Sequence, residues 1–114
     1  MPRVRPGETA EMRRLRRRID ALDRRIVELL NERARLGMAM GEAKQEAGKA
    51  VIDREREREV LLRVATTNDG PLLQADLVAV YRRVIEATRH LERTARGDRR
   101  GGPAREADRL DPEP

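Results

Sequence analysis

Arg33 and Lys44 stand where a helical apolar stripe calls for aliphatic side chains, and this misplacement is the first sign of chemistry in the sequence. Arg33 falls between Leu29 and Leu36 in a series that steps by three and four. Lys44 lies eleven residues further on, and eleven steps of about 100° return to nearly the same helix face. Asp53, Arg56 and Glu57 precede Val60, Leu61 and Val64 at helical spacing, and Thr88 and Glu92 continue the stripe of Leu77, Tyr81 and Val84. Each group of polar residues therefore shares a face with apolar ones. Charges on an inward face are costly unless a partner charge or a ligand neutralises them. A cavity lined by cations, a few acids and a hydroxyl suits a small polar anion.

Taken singly, each residue has a plainer reading. Arg33 can snorkel or fix the register of a helix pair. Asp53 is a good N-cap, Arg56 and Glu57 fit a surface patch, Thr88 is an ordinary helical threonine, and Glu92 near a helix end is normally solvated. The set as a whole is what argues for a site. Other chemistries lack parts: there is no cysteine and one histidine, His90, which excludes disulfide scaffolds and thiol catalysis and leaves zinc sites and Ser-His-Asp triads incomplete. Neither a metal nor a cofactor is expected, and an enzyme of this composition works with Arg, Lys, Asp and Glu.

The elements that position these residues are helices. Met12, Leu15, Ile19, Leu22, Ile26, Leu29, Arg33, Leu36, Met40, Ala43 and Ala47 form one heptad seam without a break in register. The seam predicts a single helix of about 39 residues, near 58 Å long, ending at Gly48. A second helix starts at the N-cap Asp53 and runs to Thr67, Asn68-Asp69-Gly70-Pro71 makes a turn, and a third helix spans residues 74–96 with Gly97 as its stop. Residues 1–8 and 98–114, rich in Pro, Gly and charge, are expected to be disordered tails around one domain at 9–97. So long a helix cannot fold back to cover its own seam. The expected fold is all-α, three helices per chain in an intertwined homodimeric bundle. Arg16 sits at the seam's edge about 25 Å of helix rise from Arg33, so one small ligand meets both only if Arg16 comes from an antiparallel partner. Its neighbours Arg13, Arg14, Arg17 and Arg18 then form a solvated face.

With 114 residues, 38% hydrophobic, 41% charged and a single aromatic, Tyr81, a lone globule has little to fill a core. No apolar run approaches a membrane span and the start lacks a signal-peptide stretch, so the expected location is the cytoplasm, with no membrane partner. The net charge of +5 raises nucleic acid as a partner, but acids are interspersed with the basic residues along the helices, and nucleic acid is not expected.

These residues resemble the all-helical class of chorismate mutase. The matching pieces are Leu15-Arg16-x-x-Ile19-Asp20-x-x-Asp23, Leu29-Leu30-x-x-Arg33, Gly41-x-x-Lys44, Val51-x-Asp53-x-x-Arg56-Glu57, and Ile85-x-x-Thr88 with Glu92. The resemblance covers roughly residues 12–96. The turn at Asn68–Pro71 and Glu92 look most like the branch joined to, or associated with, DAHP synthase, the enzyme that opens the shikimate pathway, which names a partner to expect.

The resemblance implies a dimer whose two sites are each completed by Arg16 of the other subunit. It implies that Arg33 and Lys44 hold the two carboxylates of chorismate, with Lys44 also reaching the ether oxygen. Asp53 and Glu57 match positions that hold the ring hydroxyl, and Arg56 matches a further site arginine. Thr88 stands where the family commonly has Ser, and Glu92 where many members have Gln. Glu92 donates to the ether oxygen only when protonated, so a carboxyl pKa raised by burial and partly opposed by nearby cations is expected. The implied reaction, chorismate to prephenate in phenylalanine and tyrosine synthesis, is pericyclic and needs no nucleophile. Two alternatives stay open: an isochorismate pyruvate lyase of the same fold, and a weakly active regulatory module of a shikimate-pathway enzyme.

Overall fold

The structure, a computed structural model, describes residues 5–99, with side chains described through Ala95. The first four residues of the expected N-terminal tail, and the expected C-terminal tail from residue 100 onward, lie outside them. Three helices make up the regular structure of the described residues: α1 (Ala10–Glu46), α2 (Arg54–Thr67) and α3 (Gln74–Arg99). The chain divides into two compact units, one ending at Arg33 and one beginning at Ala34.

In the first unit, Thr9 caps α1 by accepting a hydrogen bond from the Met12 amide at 3.1 Å. The preceding residues turn back: the Glu8 amide donates to the Arg5 carbonyl at 3.1 Å and Gly7 adopts φ +77°. Arg13 donates to the Glu8 carbonyl. The seam itself lies open, with Leu15 43% and Leu22 56% exposed.

In the second unit, α1 ends as the glycine signal predicts. Gly48 takes φ +70°, the Lys49 amide donates to the Lys44 carbonyl at 2.8 Å, and the Gly48 amide donates to the Gln45 carbonyl at 3.0 Å. This pair of bonds is a Schellman motif, which satisfies orphan carbonyls while reversing the chain. Asp53 then caps α2 by accepting from the Arg56 amide at 3.0 Å. The Asn68 side chain donates to the Leu72 carbonyl at 2.9 Å and accepts from the Gly70 amide at 3.3 Å, bracing the turn, and Gln74 donates to the Ala65 carbonyl at 2.6 Å. α2 and α3 thus run antiparallel, with Val60, Leu61 and Val64 half-buried on one and Leu77, Tyr81, Val84 and Ile85 on the other.

One feature departs from the sequence expectation. α3 passes Gly97 and ends at Arg99: a glycine costs a helix about 1 kcal/mol relative to alanine but stops it only where the chain leaves the helical region, as at Gly48. No hydrophobic side chain among the described residues is fully buried. The apolar stripes are in place, and the described residues do not cover them, in keeping with the low apolar content and the long seam.

Candidate active site

Lys44 lies in the last turn of α1, and the Schellman reversal brings residues 51–53 back to it. Its ammonium donates to the Val51 carbonyl at 3.4 Å and sits 4.0 Å from Asp53 Oδ2. Asp53 caps α2 through Oδ1, as its place before the helix predicts, and faces the lysine through Oδ2.

Gly37, Gly41 and Lys44 follow at i, i+4 and i+7 of α1 and share one face. Thr88 and Glu92, also four apart, meet that face from α3. A Cβ built on Gly37 would come within 2.5 Å of the Thr88 methyl, and one on Gly41 would strike the Glu92 carboxylate. Lys44 thus projects from the face against which Glu92 lies. Thr88 is 8% exposed, and its hydroxyl donates to the Val84 carbonyl at 3.3 Å, leaving its oxygen as an acceptor.

The two glycines should respond differently to alanine. Overpacking costs about 1–3 kcal/mol, against a helix gain of about 1 kcal/mol. Thr88 is short, branched and buried, so Gly37→Ala is expected to lose about 1 kcal/mol net. Gly41→Ala meets the tip of a flexible side chain and is expected to be neutral or slightly stabilising. Thermal unfolding followed by circular dichroism checks this, and equal midpoints for the two variants would contradict it.

Glu57 projects from α2 toward α3 and forms an ion pair with Arg89, the side chains 25% and 22% exposed. Arg56, one residue earlier, turns along the outer side of α2 to Glu59 at 3.2 Å, with side chains 53% and 55% exposed. Within the second unit, then, Lys44, Asp53, Glu57, Thr88 and Glu92 line facing elements, while Arg56 points outward. Arg33 and Arg16 belong to the first unit, where Arg33 is half-buried and Arg16 forms an ion pair with Glu8, whose side chain is 1% exposed.

Sequence reasoning missed Arg89 and Glu8. Arg89 carried a signal, since it continues the line Tyr81, Ile85 by one further step of four. Glu8 precedes the helix, where periodicity says nothing. Among the described residues no group of three or more His, Asp or Glu side chains could hold a metal ion, and no helix is long and apolar enough to cross a membrane.

The chorismate mutase type II family matches residues 15–93, a stretch that opens one residue before Arg16 and closes one after Glu92. The bifunctional chorismate mutase/prephenate dehydratase of Aquifex aeolicus is 39% identical over 87 residues, covering 73% of this chain and 24% of that protein. The protein of the same description from Neisseria gonorrhoeae is 40% identical over 78 residues, covering 68% and 21%. The chain thus spans about a quarter of the length of the curated relatives it matches. Among solved structures, the chorismate mutase (form II) of Thermus thermophilus superposes with a TM-score of 0.70 at 30% identity, covering 73% of this chain and 94% of that one.

Proposed function

This chain belongs to the chorismate mutase type II family, and from that premise we propose that it isomerises chorismate to prephenate in the cytoplasm by a pericyclic rearrangement. The observation that carries the reading is the shared helix face of Gly41 and Lys44: the Glu92 carboxylate lies against Gly41, and Lys44, three residues further along that face, stands 4.0 Å from Asp53. The reaction breaks a C–O bond and forms a C–C bond with no proton transfer. Catalysis consists of holding a dianion in its compact conformer and placing donors where the ether oxygen gains charge.

Arg33 and Lys44 take the substrate's two carboxylates, and Lys44 reaches the ether oxygen together with Glu92. Asp53 and Glu57 accept from the ring hydroxyl, with the Thr88 hydroxyl nearby. Arg56 joins by leaving Glu59, and an exposed pair of that kind contributes only about 0–1 kcal/mol. Arg16 comes from a second copy of the chain. What supports the second copy is the open seam: Leu15, Ile19, Leu22, Ile26, Leu29 and Leu36 are all more than two-fifths exposed along one helix, and monomers rarely leave so long an apolar stripe uncovered.

Loss of chorismate absorbance, with the product identified as prephenate, tests the reading. Glu92 donates only in its protonated form, so kcat/KM is expected to fall as pH rises through the Glu92 pKa, and Glu92→Gln to flatten the profile between pH 5 and 9. An unchanged pH dependence in the variant would remove Glu92 as the donor. Release of pyruvate from isochorismate, with chorismate untouched, would favour the lyase. If a folded dimer turns over neither substrate, the module reading gains. Its partner is then sought by adding DAHP synthase, named by the sequence resemblance, or prephenate dehydratase, which accompanies the mutase in the relatives' names.

A further inference from the structure

We infer that Arg89 is a positioning residue for Glu57, fixing its carboxylate so that one oxygen is presented to the substrate's ring hydroxyl. The inference rests on the reading of Glu57 given above. Arg89 follows Thr88 on α3 and sits four residues after Ile85, on the flank of the stripe that packs against α2. A cation there needs a partner, since desolvation costs more than a solvated arginine gains. The partner is Glu57, 32 residues away in sequence and on the facing helix.

The pair differs in kind from Arg56–Glu59, which lies within one helix with both side chains more than half exposed. Arg89 and Glu57 join two helices and are each about three-quarters covered. The contact is made to Oε2 of Glu57, and Oε1 is the oxygen assigned here to the ring hydroxyl. A glutamate without such a partner samples several rotamers, and ordering it when substrate arrives costs binding free energy. A planar guanidinium held by α3 fixes the carboxylate beforehand.

The ring hydroxyl is present in substrate and transition state alike and takes no part in the bonds made and broken. An acceptor for it contributes uniform binding, and disordering that acceptor raises KM with little effect on kcat. Arg89→Ala is therefore expected to raise KM for chorismate roughly tenfold with kcat within about twofold, and Arg89→Lys to recover most of the loss. In a Glu57→Gln background, Arg89→Ala should add less than twofold.

Steady-state kinetics of the four single and double variants, beside their thermal unfolding midpoints, test this. A full tenfold effect of Arg89→Ala in the Glu57→Gln background would overturn the inference, as would a fall in kcat with KM unchanged. So would a loss that follows the unfolding midpoint and is not restored by lysine. If Glu57→Gln alone changes neither constant, the Glu57 assignment itself fails and Arg89 has no acceptor to position. Should Arg89→Ala not fold, Arg89→Gln keeps the side-chain stem and carries the same comparison.

Discussion

Lys44→Ala is expected to lower kcat/KM for chorismate by about three orders of magnitude while leaving helix content unchanged. Removing a single donor from a site of developing negative charge costs about 10²–10³ in rate, and in the proposed reaction Lys44 also holds a substrate carboxylate. The fold depends on it far less. Its hydrogen bond to the Val51 carbonyl is long at 3.4 Å, and Asp53 is half-exposed and keeps its cap on the Arg56 amide. Water can solvate what the lysine leaves. Lys44→Arg is expected to restore little, because a planar guanidinium on a different stem cannot put a compact charge at the same point. Initial rates of chorismate loss, beside circular dichroism of each variant, give the result. A fall of less than tenfold for the alanine variant would take Lys44 away from the ether oxygen.

Leu22→Glu is expected to abolish both assembly and activity. Leu22 lies near the middle of the first unit's seam and is 56% exposed in the single chain. Burying a leucine contributes about 1.5–3 kcal/mol, and in a symmetric pair each substitution is felt twice. A carboxylate in its place adds desolvation that no seam neighbour offsets. Because no apolar side chain among the described residues is buried within the chain, dissociation is expected to take helix content with it. Arg17→Glu, on the solvated face of the same helix, should change neither property. Sedimentation equilibrium with circular dichroism separates the outcomes. A wild-type chain that sediments as a fully helical monomer, or a Leu22→Glu variant that still pairs, would defeat the second-copy reading.

Local signals were legible in the sequence where a single element decides them. The 3.6-residue period marked α1 to within a residue or two of Ala10–Glu46, and the N-cap of α2 and the left-handed end of α1 at Gly48 fell where residue chemistry put them. What required two elements was harder to read. Gly37 carries no signal in the sequence and Gly41 enters only through its motif with Lys44, whereas in three dimensions the two are the space that admits Thr88 and Glu92. Glu57 was singled out, but its arginine lies on another helix, and no one-dimensional pattern pairs positions 57 and 89. Arg56 shares the inward period of Val60 and Val64, yet its long side chain reaches Glu59 on the outer side, since a flexible cation follows the nearest carboxylate more readily than the helix face it starts from. Gly97 failed as a stop because propensity alone does not end a helix.

The absence of a buried apolar side chain in the described chain also bears on abundance. If the second copy supplies the core, folding and pocket formation become a single bimolecular event governed by mass action. Dilution then removes catalyst as well as substrate encounters, and the melting temperature rises with concentration. A cell holding few copies has proportionally fewer paired ones, so flux through the reaction grows more steeply than in proportion to the amount of protein made, until pairing saturates.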